Sequence, residues 1–220
     1  MSDQEFPVFD AGAFDDWAGK YDEDIKAEAG FPFEGFSAVM DEIVERAALQ
    51  RAGAQSGMQV LDLGTGTGEL AARFEALGCV VTGTDFSPEM LRIAREKYPA
   101  IVFQFQDLRQ PWPVSLPGPF DRIVSAYVFH HFPLGQKIEL MDTLCRHLSP
   151  DGRIVIGDLS FETAAHLDKA RQHYGPAWDE ELYWIADETL PVLDQAGFLA
   201  EYRQISYCAG VYSITRKQPE

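Results

Sequence analysis

Apolar positions in the first fifty residues return every three or four places. Phe14, Trp17, Ala18 and Tyr21 share one face of a helix predicted from Ala13 to about Glu28. Residues 1–12 show little pattern and read as a loose arm. Gly30-Phe31-Pro32 breaks the first helix. A second is expected from about Phe36 to Ala52, with Val39, Met40, Ile43, Val44, Ala47 and Ala48 on its apolar side and Gly53 as its stop.

From Met58 onward short, nearly continuous apolar runs alternate with helical patterns. Met58–Asp62, Cys79–Thr84, Ile101–Phe105, Phe120–Ser125 and Arg153–Asp158 read as strands 1 to 5. Between them lie helices over Glu69–Leu77, from a Ser87 cap to about Tyr98, and over Gln136–Leu148. Residues 107–119, with Pro111, Pro113, Pro117 and Pro119, form a loop, and Ser149–Gly152 a turn. This alternation means right-handed βαβ units and a mostly parallel sheet with helices on both faces. The last third is less regular. Residues 160–186 look helical and aromatic-rich, Glu188–Ala196 is a further helix, and Leu199–Ser206 with Gly210–Thr215 suggest an antiparallel pair at the sheet edge. No repeat or linker divides the chain, so one domain is expected, with parts at about 13–52, 58–158 and 159–220.

The stretch with most chemistry joins strand 1 to the next helix: Leu61-Asp62-Leu63-Gly64-Thr65-Gly66-Thr67-Gly68-Glu69. Glycines let a ligand approach the backbone closely, and a helix start offers free N–H groups. A dinucleotide fingerprint is G-x-G-x-x-G. Here the last position of that pattern is Glu69, whose carboxylate would face a diphosphate, so a ligand with a nucleoside end and no phosphate fits better. Asp85 closes strand 2, where a carboxylate can accept from both ribose hydroxyls. Asp107 closes strand 3 and can take an adenine amine, with Phe86 and Leu108 about the ring. Asp62 could orient the loop or hold an ammonium group. Taken singly, an acid at a strand end is more often just a helix cap or a solvated turn. Together they mark one edge of one sheet.

Composition narrows the partner. A net charge of −17 with no basic run argues against nucleic acid and anionic membranes. A small neutral, cationic or amine-bearing substrate suits it. Cys79, Cys145 and Cys208 are widely spaced and odd in number, which suggests neither a disulfide framework nor a zinc site. The acidic start and the lack of a long apolar run lead to a cytoplasmic expectation, as monomer or homodimer.

Leu61–Gly68 resembles motif I of the class I S-adenosylmethionine-dependent methyltransferases. Asp85, Asp107-Leu108, Phe120–Ser125 and Leu148–Arg153 are similar to that family's later motifs in the same order, and the match covers about residues 58–158. The whole chain resembles small bacterial members with poorly defined substrates. The resemblance implies a Rossmann-like, seven-stranded α/β fold with an antiparallel edge strand, and S-adenosylmethionine as cofactor. Gly64, Thr65, Gly66 and Gly68 would cradle its methionine part, with Asp62 beside them. Asp85 would hold the ribose; Asp107, Leu108 and Phe86 would hold the adenine. Tyr21 and Trp17 would close over the cofactor as an N-terminal lid, unless they simply pack on the core, and Ser125-Ala126 would line the sulfonium side.

Methyl transfer from a sulfonium is an in-line displacement, and a base is needed only if the acceptor arrives protonated. His130 and His131 follow strand 4 and could serve, with His130 preferred. Asp158, at the end of strand 5, could bind a cationic acceptor or cap a helix. Tyr174, Trp178, Tyr183 and Trp184 could roof the pocket as an aromatic wall; they read equally as core packing. Two rivals stand beside this reading. One is an NAD-dependent oxidoreductase, disfavoured by Glu69 and Asp107. The other is a non-catalytic protein that binds S-adenosylmethionine or its demethylated product.

Overall fold

The computed structural model describes residues 11–27, 30–48, 57–113, 116 and 118–218. Residues 1–10 of the expected arm over 1–12, the end of the first helix at Glu28, the second helix beyond Ala48 with its stop at Gly53, and Pro117 lie outside the described residues, while residues 11 and 12 open the first helix and not an arm.

The elements run α1 (Ala11–Ala27), α2 (Phe36–Ala48), β1 (Gln59–Leu63), α3 (Glu69–Ala76), β2 (Val80–Asp85), α4 (Pro88–Lys97), β3 (Val102–Phe105), β4 (Phe120–Ala126), α5 (Leu134–Cys145), β5 (Leu148–Phe161), α6 (Ala164–Tyr174), β6 (Trp184–Ile185), α7 (Ala186–Gln195), β7 (Phe198–Gln204) and β8 (Ala209–Arg216). The sheet order is β3-β2-β1-β4-β5-β8-β7, with the two-residue β6 paired to the far end of β5. β1 to β5 are parallel, and β8 runs antiparallel between β5 and β7.

The apolar strands are continuous because both faces are covered. Val60, Val81, Val124, Val155 and Val211 pack with α2, α3 and α4 on one face. Leu61, Ile123, Ile154, Ile156 and Tyr212 pack with α5 and α7 on the other. Successive residues of each strand thus serve opposite layers.

Two expectations change. The Ser149–Gly152 turn lies inside β5: Phe120 pairs with Leu148 and Arg122 with Arg153, so residues 149–152 loop out opposite Asp121. The helix expected over 160–186 spans only Ala164–Tyr174. Gly175, at φ +50°, and Pro176 end it; the chain makes a single 3-10 turn and is then extended into β6. That break moves residues 178–185 from a helix face to the far side of the candidate site.

Candidate functional site

Because β1 to β4 are parallel, their C-terminal ends bring Gly64, Asp85, Phe105 and Ala126 to one edge of the sheet. The glycine loop turns there. Gly64 has φ +64°, and a Cβ on it would meet Val128 Cγ2 at 2.3 Å. Gly66 has φ +54°, and a Cβ there would first meet the Tyr21 ring, at an ordinary contact distance of 3.6 Å. Gly68 answers a packing demand: its Cβ would strike the Tyr98 ring at 2.9 Å.

Two buried carboxylates hold the loop. The Thr65 hydroxyl donates to Asp62 Oδ2 at 2.6 Å. The Gly66 amide donates to Asp85 Oδ2 at 2.9 Å, and the Ser87 amide to Asp85 Oδ1 at 2.8 Å. Asp62 is 1% and Asp85 6% exposed. Burial, reinforced by the charge of Asp85, pushes the Asp62 carboxyl up to about 7, although the Thr65 bond opposes it. Burial likewise pushes Asp85 up to about 6, against the pull of its amide bonds. Two acids that burial disfavours as anions make a site suited to positive charge.

α1 covers the loop. Its Asp15 accepts from the Ser87 hydroxyl and from the Glu89 amide at the start of α4. Its Asp22 accepts from Thr67 Oγ1 and from Lys97 Nζ, both at 2.6 Å. Between these points the Tyr21 ring rests over Gly66, and Phe14 meets Phe86 and His131 edge-on at 5.3 and 5.9 Å. Trp17 stands behind Tyr21, at 4.8 Å between ring centres.

The cleft so formed measures about 550 Å³ and runs from Gly66, Asp85 and Phe86 past Leu108 and Ala126 to His131 and Phe132. A smaller recess of about 280 Å³ adjoins it at Tyr21, Gly64 and Ala126 and reaches Asp62, Thr65 and Glu69. On the other side a broader groove of about 1180 Å³ opens between residues 106–112 and α5. Asp107 does not line the cleft. Its carboxylate is gripped by the Arg109 guanidinium, whose Nε and Nη2 each stand 2.8 Å from one oxygen, and this holds it below the usual carboxylate range. Gln106 and Leu108 are the cleft residues of that segment. Ser125 is 1% exposed and donates to Leu63 O at 2.8 Å, so it braces β1 against β4 while Ala126 faces the cleft.

At the far end the sequence-predicted acceptor-side residues come together. His130 Nδ1 is 2.6 Å from Asp158 Oδ1, and Trp184 Nε1 donates to Asp158 Oδ2 at 2.8 Å. Burial would raise the Asp158 carboxyl, but His130, Lys137 and the Trp184 bond outweigh it and hold Asp158 ionised below the ordinary range. The carboxylate therefore takes the Nδ1–H of His130 and leaves Nε2 on the other side of the ring. His131 is the member of the pair that lines the cleft, and its ring centre is 4.0 Å from that of His130. Burial, then the charge of His130, pushes His131 down to about 3, so it is neutral near pH 7.

The sequence did not point to Lys137. It is 2% exposed, donates to Leu182 O at 2.6 Å and lies 4.4 Å from the Trp184 ring centre. Burial pushes it down to about 8. Tyr127, which lines the cleft at φ +56°, was also missed, since nothing in a Tyr signals a left-handed backbone. For Gln106 the signal was its place beside Asp107. The expected aromatic wall divides. Trp184, 1% exposed, packs on Tyr212, while Tyr174, Trp178 and Tyr183 cluster with Phe31. None of the four lines the cleft.

Residues 60–152 match the family described as Methyltransferase domain. An uncharacterised methyltransferase of Oceanobacillus iheyensis is 30% identical over 204 residues, covering 88% of this chain and 91% of that protein. One from Bacillus pumilus is 31% identical, with the same coverage. Among solved structures, DhpI with bound S-adenosylhomocysteine superimposes with a TM-score of 0.68 at 18% identity, covering 95% of this chain and 96% of its own. Magnesium protoporphyrin IX methyltransferase from Synechocystis PCC 6803, also with bound S-adenosylhomocysteine, gives 0.67 at 19% identity, over 94% and 100%.

Proposed function

The chain belongs to the class I S-adenosylmethionine-dependent methyltransferases, with S-adenosylmethionine as cofactor, and we propose that its methyl acceptor is a small molecule bound at the His131 end of the cleft. The observation that carries this reading is the continuity of one roofed cavity from Asp85 to His131. Phe14 and Tyr21 cover it, and its lining is mostly apolar and aromatic. An overall charge of −17 disfavours nucleic acid as the acceptor.

The residues fit the cofactor. Asp62 and Asp85, both disfavoured as buried anions, suit a ligand with an ammonium and a sulfonium. Gly66, with no Cβ, leaves its backbone bare beneath the Tyr21 ring. When bound, the group supplies a methyl already activated by positive sulfur. In this reading Asp62, Thr65 and the backbone of Gly64, Gly66 and Gly68 hold the methionine end, and Tyr21 closes over it. Asp85, already accepting from backbone amides, is placed to accept from a ribose hydroxyl as well. Phe86, Leu108, Asp107 and the adjacent Gln106 bound the adenine, and Ser125 keeps the β4 end in register at the sulfonium.

On the acceptor side, His131 touches the small molecule, a reversal of the preference for His130 drawn from sequence. The His130–Asp158 pair behind it receives the proton of an acceptor that arrives protonated. Asp158, shut off from the cleft, is a positioning residue. The whole chain then acts as one unit, with α1 as lid, residues 58–158 as cofactor core and 159–220 as the substrate-side part. The test is turnover of methyl-labelled cofactor against a panel of neutral and amine-bearing metabolites, peptides and RNA. Methylation of a metabolite is expected. Labelling of peptide or RNA alone would sink the small-molecule reading, and cofactor binding with no turnover would make the chain a sensor.

A further inference from the structure

The histidine pair has a third neighbour that methyl transfer does not use. Glu181 lies in the extended stretch before β6, 17% exposed at its side chain, with Oε2 3.8 Å from His131 Nδ1. That separation is too long for a hydrogen bond. One ligating atom from each of His130, His131 and Glu181 lies within 4.8 Å of the others. Two ligands of one tetrahedral ion with bonds of ~2.0 Å stand roughly 3.3 Å apart, so modest side-chain rotations would close the set.

We infer that His130, His131 and Glu181 form a binding site for one divalent transition-metal ion of the zinc class. Three features beyond proximity support it. Asp158 holds His130 by Nδ1 at 2.6 Å, which leaves Nε2 to ligate. This carboxylate–histidine arrangement is the usual outer support of a metal-binding imidazole. The carboxylate is itself fixed by Trp184 Nε1 at 2.8 Å and the Leu159 amide at 2.9 Å. The Glu181 segment is also tied to the histidine turn: the Leu182 amide donates to His130 O at 3.0 Å, and Lys137 Nζ donates to Leu182 O at 2.6 Å. The His130 imidazole, and the backbone that carries it and the Glu181 segment, are thus set by bonds that do not involve a metal.

The donor set decides the ion. Two imidazoles and one carboxylate favour zinc, cobalt or nickel over magnesium or calcium, which prefer all-oxygen shells. Three protein ligands leave one position open, and His131, one of the three, lines the cleft. An oxygen, nitrogen or sulfur of a bound acceptor could fill the open position, a step that rests on the proposed function. The ion and a proton would compete for the same lone pair on His130 Nε2. Among the described residues, no other group of three such side chains comes together.

Chelator-stripped full-length protein titrated with Zn(II) and Co(II) tests the site, by calorimetry and by the visible d–d bands of bound cobalt. One equivalent is expected to bind at micromolar or tighter affinity, with Mg(II) far weaker. Glu181→Gln and His131→Ala should each weaken Zn(II) binding by about tenfold or more, and Asp158→Asn by about tenfold. Metal-free thermal melts of the variants check folding, and Glu181→Gln, near the surface, keeps the test open if a histidine variant fails to fold. No binding, or binding that all three substitutions leave unchanged, overturns the site. These readouts need no turnover: a protein that binds zinc here but methylates nothing retains the site and loses the proposed function, and the converse separates them as clearly.

Discussion

Asp158 and His130, 28 residues apart in the chain, meet through a 2.6 Å hydrogen bond in the interior. The bond fixes which ring nitrogen carries the proton. Replacing Asp158 by Asn keeps the shape and offers an amide N–H where His130 now donates, which drives the ring to the other tautomer. The expected outcome is a fall in methyl-transfer rate of about 10²-fold or more, the direction seen when a buried carboxylate that orients a catalytic imidazole is neutralised. Affinity for S-adenosylhomocysteine should stay the same. A wild-type rate in single-turnover assays would show that His130 handles no proton.

Affinity for S-adenosylmethionine should fall as pH drops from about 8 to about 5. Asp62 and Asp85 titrate in the folded protein at about 7 and about 6, above the ~3.9 of an unfolded Asp. Between about pH 4 and 7 the folded chain therefore holds more of their protons than the unfolded one, and their share of stability declines as pH rises through that window. A cationic ligand favours the ionised carboxylates. Binding near pH 6.5 should thus release protons, measurable by calorimetry in buffers of different ionisation heat. S-adenosylhomocysteine, without the sulfonium charge, should show a shallower dependence.

Asp85→Ala removes the partner of the Gly66 amide as well as the proposed ribose ligand. It should weaken cofactor binding by about 1–3 kcal/mol, the loss expected for hydrogen bonds to a charged group. Unchanged affinity in isothermal titration would take Asp85 out of the site.

Gly64 and Gly66 separate backbone strain from steric fit. Gly64→Ala meets both a left-handed φ and Val128 Cγ2 at 2.3 Å, whereas Gly66→Ala meets the φ alone. Denaturation should show losses of about 2–4 kcal/mol for the first and about 1–2 kcal/mol for the second. Equal losses would mean that Val128 yields freely.

The parallel sheet and the glycine loop were legible because both rest on local pattern. Val60 and Leu61 are apolar in sequence since each has its own layer to fill, and a Gly at every second loop position leaves few backbone options. The Phe14–Trp17–Tyr21 face was legible by spacing. What Asp15 and Asp22 hold depends on where α1 docks, and helical periodicity says nothing of that. The Asp158–His130–Trp184 cluster joins three distant segments and was hidden for the same reason. The stretch after α6 was misread because its aromatics fall at helical spacing, although Gly175-Pro176 was visible as a stop. Asp107 was found, but its capture by Arg109, two residues on, was not weighed.

The two carboxylates on α1 also bear on the order in which molecules depart. Asp15 is fastened at the start of α4 and Asp22 to Thr67 beside the start of α3 and to Lys97 at the end of α4, so the helix cannot lift from Gly66 without releasing both. The groove beside α5 stays open throughout. A methylated product can leave past Phe132, which lines both the cleft and the groove, while the methionine end of the spent nucleoside, held under Tyr21, waits for α1 to move. Turnover should therefore be sequential, with the nucleoside last out and the next donor first in. In steady-state kinetics S-adenosylhomocysteine would compete with S-adenosylmethionine, while the methylated product would not; competition by both would mean that the helix restrains neither.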